Sequence, residues 1–122
     1  MGKEQFHEEW VGRVAVVTMS GELDMMTAPQ LDEAVHAALA KKPAGLIVDL
    51  LELTFLASAG MQLLIEIRDR ITPDARFAVV ADGPATSRPM KITGVTDVVD
   101  VFTTRDVALN SFAECNRPES GT

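Results

Sequence analysis

The residue with the clearest capacity for chemistry is Ser58, in the run Phe55-Leu56-Ala57-Ser58-Ala59-Gly60. Three roles are open to a serine in this setting. As a nucleophile it would use Leu56-Ala57-Ser58-Ala59-Gly60 as a G-x-S-x-G elbow without the first glycine. That chemistry needs a histidine base later in the chain, and His7 and His36, the two histidines, both precede the serine. As a phosphoacceptor it would place a phosphate at a helix N-terminus, where free N–H groups and the positive end of the helix dipole favour an anion. Such a phosphate adds about −1.5 to −2 charges at one surface spot without requiring the domain to unfold. As a helix N-cap it would only bond an orphan backbone N–H.

The elements that hold Ser58 are legible on both sides. Residues 46–50 (Leu-Ile-Val-Asp-Leu) are too short and too β-branched for a helix and predict a buried strand. A short acidic and apolar connection follows. After Gly60 the apolar period changes, and Leu63, Leu64, Ile67 and Ile71 fall on one helical face. Upstream, residues 6–11 and 13–19 predict two strands joined by a tight turn at Gly12. His7, Glu8 and Glu9 make the first a half-exposed edge, Val14 to Val17 bury the second, and Trp10 packs on the hairpin. The stretch Ser20-Gly21-Glu22-Leu23-Asp24 leaves this hairpin as a loop with two solvated carboxylates. Of the adjacent Met25 and Met26, at least one is expected at the surface as an adaptable partner contact.

A first helix is expected from Thr27, its cap, with Pro29 in the first turn. Leu31, Val35 and Leu39, with Ala34 and Ala38, form its buried stripe, His36 faces water, and Pro43 ends it. Thr72-Pro73-Asp74 reads as a turn and residues 77–81 as another strand. A third helix opens at Asp82-Gly83-Pro84 and runs to about Thr93, with Gly94 as its C′ residue. Pro89 inside that span requires a late start or a kink. Residues 98–102 read as a last strand. Residues 104–113 read as a helix capped by Thr104, with Arg105 and Asp106 in water and Val107 and Phe112 packed.

A hairpin followed by alternating helices and strands defines an α/β class. The expectation is a single domain with a mostly parallel central sheet, an N-terminal antiparallel edge and about four helices. Residues 1–4 are expected as a flexible N-terminus, 5–113 as the domain and 114–122 as a mobile tail. The loops at Glu22–Asp24 and Ser58 both leave C-terminal strand ends, so they should lie side by side. With 122 residues, a net charge of −7 and no basic cluster, the chain is a poor ligand for nucleic acid or anionic membrane. The one cysteine, Cys115, excludes an internal disulfide, supplies no metal-ligand pair and reads as a surface thiol. No cofactor motif is present: neither G-x-G-x-x-G nor G-x-x-x-x-G-K-[ST] occurs, which suits a kinase substrate rather than a kinase. No apolar run approaches the about 18–20 residues of a membrane span. The polar start Met1-Gly2-Lys3-Glu4-Gln5-Phe6 is unlike a signal peptide and lacks a myristoylation serine or threonine, so a cytoplasmic protein is expected.

Two stretches carry a family resemblance. Ser20-Gly21-Glu22-Leu23-Asp24 resembles the "GELD" loop of the STAS domain. Val48-Asp49-Leu50 followed by Thr54-Phe55-Leu56-Ala57-Ser58-Ala59-Gly60 resembles the family's strand and "F-x-D-S-[ST]-G" turn. The motif Asp is Ala57 here, and the following Ser/Thr is Ala59. The chain is most similar to the bacterial anti-sigma-factor antagonists. The resemblance implies a STAS fold over residues 5–113 and no catalytic activity. It implies Ser58 as the site phosphorylated by an ATP-using anti-sigma factor, with a serine phosphatase as a further partner. It also implies a partner surface at Glu22, Asp24, Met25, Met26, Ala57, Ser58, Ala59, Gly60, Met61, Thr86 and Ser87. A second use of the same fold, a non-catalytic STAS subunit of a lipid-trafficking transport ATPase, would make the Ser58 loop a docking edge with no phosphate cycle.

Overall fold

A computed structural model describes residues 6–71 and 75–116. Strand β1 (Phe6–Val11) and β2 (Val14–Leu23) form the expected hairpin. Gly12 sits at a φ of +60°, the left-handed region that two-residue hairpin turns need at their first central position. Helix α1 (Ala28–Leu39), strand β3 (Gly45–Leu56), helix α2 (Ser58–Ile71) and strand β4 (Arg76–Val80) follow. Helix α3 (Ser87–Thr93), a 3-10 turn (Val95–Asp97), strand β5 (Val101–Phe102) and helix α4 (Arg105–Asn116) complete the order. The sheet runs β1-β2-β3-β4-β5, with β1 antiparallel to β2 and every later pair parallel.

The period-two alternation of the strands sorts side chains onto two faces. Ala15, Val17, Met19, Leu46, Val48, Leu50, Phe77 and Val79 meet α1, α2 and α3 on one side. Val14, Val16, Ile47, Ala78 and Val80 meet Ala108 and Phe112 of α4 on the other. In α1 the buried residues are Leu31, Val35 and Ala38, with Ala34 and Leu39 partly covered, as the stripe predicts. Pro89 is the third residue of α3, so the helix starts late and the missing N–H is one that has no intrahelical acceptor anyway. Gly94 ends α3 at a φ of +86°.

Several expectations are corrected. Strand β2 continues through Ser20-Gly21-Glu22-Leu23 instead of ending at Met19, and β3 continues to Leu56 instead of Leu50. Two bulges hide this extension from a simple alternation. Thr18 pairs Asp49 while Ser20 pairs Glu52, and Gly21 pairs Leu53 while Glu22 pairs Phe55. The last strand shrinks to Val101–Phe102, because the Val98 and Val99 N–H groups bond back to the Val95 carbonyl of the 3-10 turn. Helix α4 runs to Asn116, past the expected Ala113, and so includes Cys115. Val107 is 47% exposed rather than packed. Trp10 is 37% exposed and donates from Nε1 to Glu8 at 2.6 Å. The expected turn at Thr72-Pro73-Asp74, the flexible residues 1–4 and the tail beyond Asn116 lie outside the described residues.

Arg105 is the largest departure, since it was expected in water. Its Nε donates to Asp49 Oδ2 at 3.1 Å, Nη2 to Thr18 Oγ1 at 3.1 Å, and Nη1 to Glu9 Oε1. The guanidinium thus ties α4 across β1, β2 and β3. Asp49 is 5% exposed, and its Oδ1 accepts the Leu51 N–H at 3.0 Å, inside the first bulge. Thr104 caps α4 as expected, accepting the Val107 N–H at 3.1 Å.

The edge carboxylates give a pH dependence. The Lys41 ammonium, with the Trp10 indole, holds the Glu8 carboxyl below its ordinary value, and the Arg105 guanidinium does the same for Glu9. A carboxyl that binds its proton less readily in the folded than in the unfolded state stabilises the fold above the unfolded value, near 4.5. That contribution is lost as pH falls through the depressed folded values. Glu9→Gln is therefore expected to flatten the acid limb of a stability-against-pH curve measured by urea denaturation. An unchanged acid limb would show that the Glu9–Arg105 contact is not formed in solution.

Candidate functional site

The carboxyl ends of β2 and β3 carry the site. Leu23 and Leu56 are paired at the end of the ladder, and the Ala57 N–H donates to the Leu23 carbonyl at 2.8 Å. Thr54, bulged out of the ladder, donates its hydroxyl to the Gly21 carbonyl at 3.0 Å. The two sequence motifs are thereby locked side by side, as the parallel-sheet argument requires.

Gly60 brings α2 into this junction. A Cβ at this position would lie 2.6 Å from Leu23 Cγ and 3.0 Å from Leu56 Cδ1, so only a hydrogen lets the first turn of α2 rest on both leucines. The Gly60 and Met61 N–H groups donate to the Ala57 carbonyl at 3.0 and 3.2 Å. Ala57, not Ser58, is therefore the N-cap residue, and Ser58 is the first residue of α2. Its side chain is exposed, and its hydroxyl makes no hydrogen bond to a described residue. The N-cap reading of Ser58 is thus replaced by that of an unengaged hydroxyl at the positive end of a 14-residue helix.

Alanine is a poor cap because its methyl group accepts nothing from the first-turn amides. Ala57→Asp is expected to stabilise the domain by about 1 kcal/mol, raising the midpoint of thermal denaturation by a few degrees. An unchanged or lower midpoint would show that the turn cannot direct a carboxylate at those amides.

The neighbouring loop is built by Asp24 and Thr27. Asp24 Oδ1 accepts the N–H groups of Met26 at 2.9 Å and Thr27 at 3.1 Å. Thr27 Oγ1 accepts the Asp24 N–H at 2.9 Å and donates to the Glu22 carbonyl at 2.8 Å. Asp24 is thus a turn-former rather than a solvated carboxylate. Thr27 is the N-cap of α1 by position, yet its hydroxyl bonds backwards into the loop. The result presents Glu22, Met25 and Met26 to solvent, the methionines at 71% and 78% exposure.

The remaining sequence-predicted residues divide. Ala57 and Ala59 are half-buried at the rim beside Ser58. Gly60, Met61 and Thr86 are buried, so they shape the surface from beneath and offer no contact area of their own. Thr86 precedes α3 with its Oγ1 buried and unpartnered, and Ser87 opens that helix. Further along α3, Thr93 Oγ1 donates to the Pro89 carbonyl and sits 3.3 Å from Met61 Sδ on α2. Phe55, in the serine motif, joins this surface without being signalled as a contact by its residue type. It is 50% exposed and pairs with Glu22 across the ladder. The second bulge offsets the first, which keeps Phe55 on the outer face. Among the described residues, no group of three His, Cys, Asp or Glu side chains could hold a metal ion. No described helix is long and apolar enough to cross a membrane.

A five-stranded sheet with this order, a GELD stretch and a serine turn at adjoining strand ends is the arrangement of a STAS domain. The sequence pattern of the STAS domain matches residues 8–108, and the chain belongs to that family. Within it, the chain stands with the anti-sigma-factor antagonists. It is 36% identical over 96 residues to the anti-sigma-F factor antagonist RsfB of Mycobacterium tuberculosis, covering 79% of each chain. The crystal structure of an anti-sigma factor antagonist from Mycobacterium paratuberculosis is 38% identical, with a TM-score of 0.84, covering 88% of this chain and 92% of that one. The Bacillus cell fate determinant SpoIIAA, solved in its phosphorylated form, shares the fold at 21% identity with a TM-score of 0.63, covering 87% of this chain and 97% of that one.

Proposed function

We propose that the chain is an anti-sigma-factor antagonist whose docking face is the rim formed by Glu22, Met25, Met26, Phe55 and Ser58. Unphosphorylated, it binds an anti-sigma factor with serine kinase activity and so frees a sigma factor for transcription. Phosphorylation of Ser58 by that kinase breaks the complex, and a serine phosphatase restores it. The observation that carries this reading is the exposed, unbonded hydroxyl of Ser58 at the first position of α2, locked beside the Glu22–Met26 loop. A phosphate there is tolerated by the helix dipole and adds charge to a rim that already bears Glu22. Two relatives above 30% identity bear the name of anti-sigma factor antagonists. A relative of the same fold has been solved phosphorylated.

The test is a pull-down from native lysate with wild-type bait beside Ser58→Asp, read by mass spectrometry. The expected result is capture of an ATP-binding anti-sigma factor by the wild type and its loss with the variant. The captured kinase should label wild-type protein with phosphate and leave Ser58→Ala unlabelled. Capture of transport-ATPase subunits, indifferent to the substitution, would overturn the reading in favour of a structural STAS subunit.

A further inference from the structure

The described methionines fall into two groups. Met19, Met61 and Met90 are 0%, 7% and 0% exposed, whereas Met25 and Met26 are 71% and 78% exposed. The exposed pair is held out by architecture. Asp24 Oδ1 pins the Met26 N–H, and Thr27 Oγ1 ties the loop at both Asp24 and Glu22. Met25 also borders a shallow groove between α1 and α2, with Pro29, Asp32, Ala59, Gln62 and Glu66. Ala59 directly follows Ser58, so the groove and the phosphoacceptor are parts of one surface.

We propose that Met25 and Met26 are an oxidation site that switches this surface, a second control beside Ser58; the inference rests on the docking-face reading above. The oxidant is hydrogen peroxide. A lone pair of the thioether sulfur attacks one peroxide oxygen, the O–O bond breaks and an S–O bond forms. The sulfur loses two electrons, and the departing oxygen takes up the proton to leave as water. The product is methionine sulfoxide, a polar group where the partner meets an apolar one. Its oxygen is a strong acceptor that an apolar contact leaves unpaired when the interface closes. A sulfoxide reductase returns the thioether, with two thiols going to a disulfide and the oxygen leaving as water. Because both side chains project into solvent, the core is untouched and the oxidised protein stays folded.

The test begins with graded peroxide on the purified protein and peptide mass spectrometry. Met25 and Met26 are expected to gain one oxygen each while Met19, Met61 and Met90 remain unmodified. Affinity for the purified anti-sigma factor captured by wild-type bait is then measured by calorimetry. Oxidised wild type is expected to bind at least about tenfold more weakly, with affinity restored by sulfoxide reductase. The Met25→Leu/Met26→Leu double variant should bind equally before and after peroxide. Equal affinity of oxidised and reduced wild type, with binding still lost in Ser58→Asp, would overturn the oxidation switch alone. Binding retained in Ser58→Asp would instead overturn the phosphoswitch on which it rests. Oxidation of the buried methionines as fast as the exposed pair would overturn the proposed selectivity.

Discussion

Phosphorylation of Ser58 is expected to weaken binding of the anti-sigma factor about a thousandfold, a loss of about 4 kcal/mol. Ser58→Asp, with one charge and no tetrahedral group, should produce a smaller loss of about ten- to a hundredfold. The fold itself gives no reason for either change to be harmful. Ser58 is exposed, its hydroxyl supports no neighbour, and an anion in the first turn of α2 gains about 0.3–1 kcal/mol from the helix dipole. The thermal midpoint of Ser58→Asp should therefore equal or slightly exceed that of the wild type. The loss must then arise in the complex. A phosphate brought into a partly desolvated interface carries a charge of about −2 that an interface built for a hydroxyl leaves unpaired. Ser58→Ala removes a group that is unengaged in the free protein and should bind nearly as the wild type does. Titration calorimetry of the three proteins against one anti-sigma factor separates these cases. Equal affinities for phosphorylated protein, Ser58→Asp and Ser58→Ala would sink the switch even if all three were well folded.

The site was legible where its cause is local. Ser58 was placed at the start of a helix because the apolar period changes after Gly60, and α2 does begin there. The GELD stretch was placed beside it because both leave carboxyl ends of parallel strands, and the Ala57–Leu23 bond joins them. What failed was whatever depends on the ladder departing from period two. Two bulges in β3 shift the side-chain alternation, so residues 51–56 read as a connection although they are paired strand. The first bulge turns Leu53 inward, and the second restores the original phase, so Phe55 lies outward and Leu56 inward. The role of Arg105 failed for a different reason. Its partners Glu9 and Asp49 are 96 and 56 positions away in the chain, and a charged residue in the first turn of a helix reads as facing water. Only the fold reveals that it lies over a buried carboxylate. Asp24 and Thr27 show a third kind of miss. Their types correctly signal a turn and a cap, but the direction of the hydroxyl bond is decided by the strand extension behind them.

Loss of the Asp49 carboxylate should be severely destabilising although the residue lies away from the docking face. Asp49→Ala is expected to destabilise the domain by about 3 kcal/mol. Two groups lose their partner at once. Arg105 keeps a charge that only the outer carboxylate of Glu9 then offsets, and the Leu51 N–H in the first bulge loses the oxygen that accepts it. A fully buried pair broken in this way would cost about 3–5 kcal/mol, but Arg105 retains access to water, which brings the figure to the lower end. Asp49→Asn should cost less, because its amide oxygen can still accept from Leu51. Arg105→Met removes the charge while keeping the stem, so the double variant Asp49→Ala/Arg105→Met should be more stable than the sum of the single losses implies. Urea denaturation followed by circular dichroism gives each value. A loss below about 1 kcal/mol in Asp49→Ala would place the network among ordinary surface ion pairs and remove its claim on the fold. The position of Asp49 gives the result a functional edge. The bulge it holds lies in the strand that ends at Leu56, one residue before the cap of the Ser58 helix. A β3 that loses this bulge shifts its alternation beyond Glu52 and turns Phe55 away from the rim. Asp49→Ala protein that remains folded at low temperature should therefore bind the anti-sigma factor more weakly, although residue 49 is buried and outside the docking face.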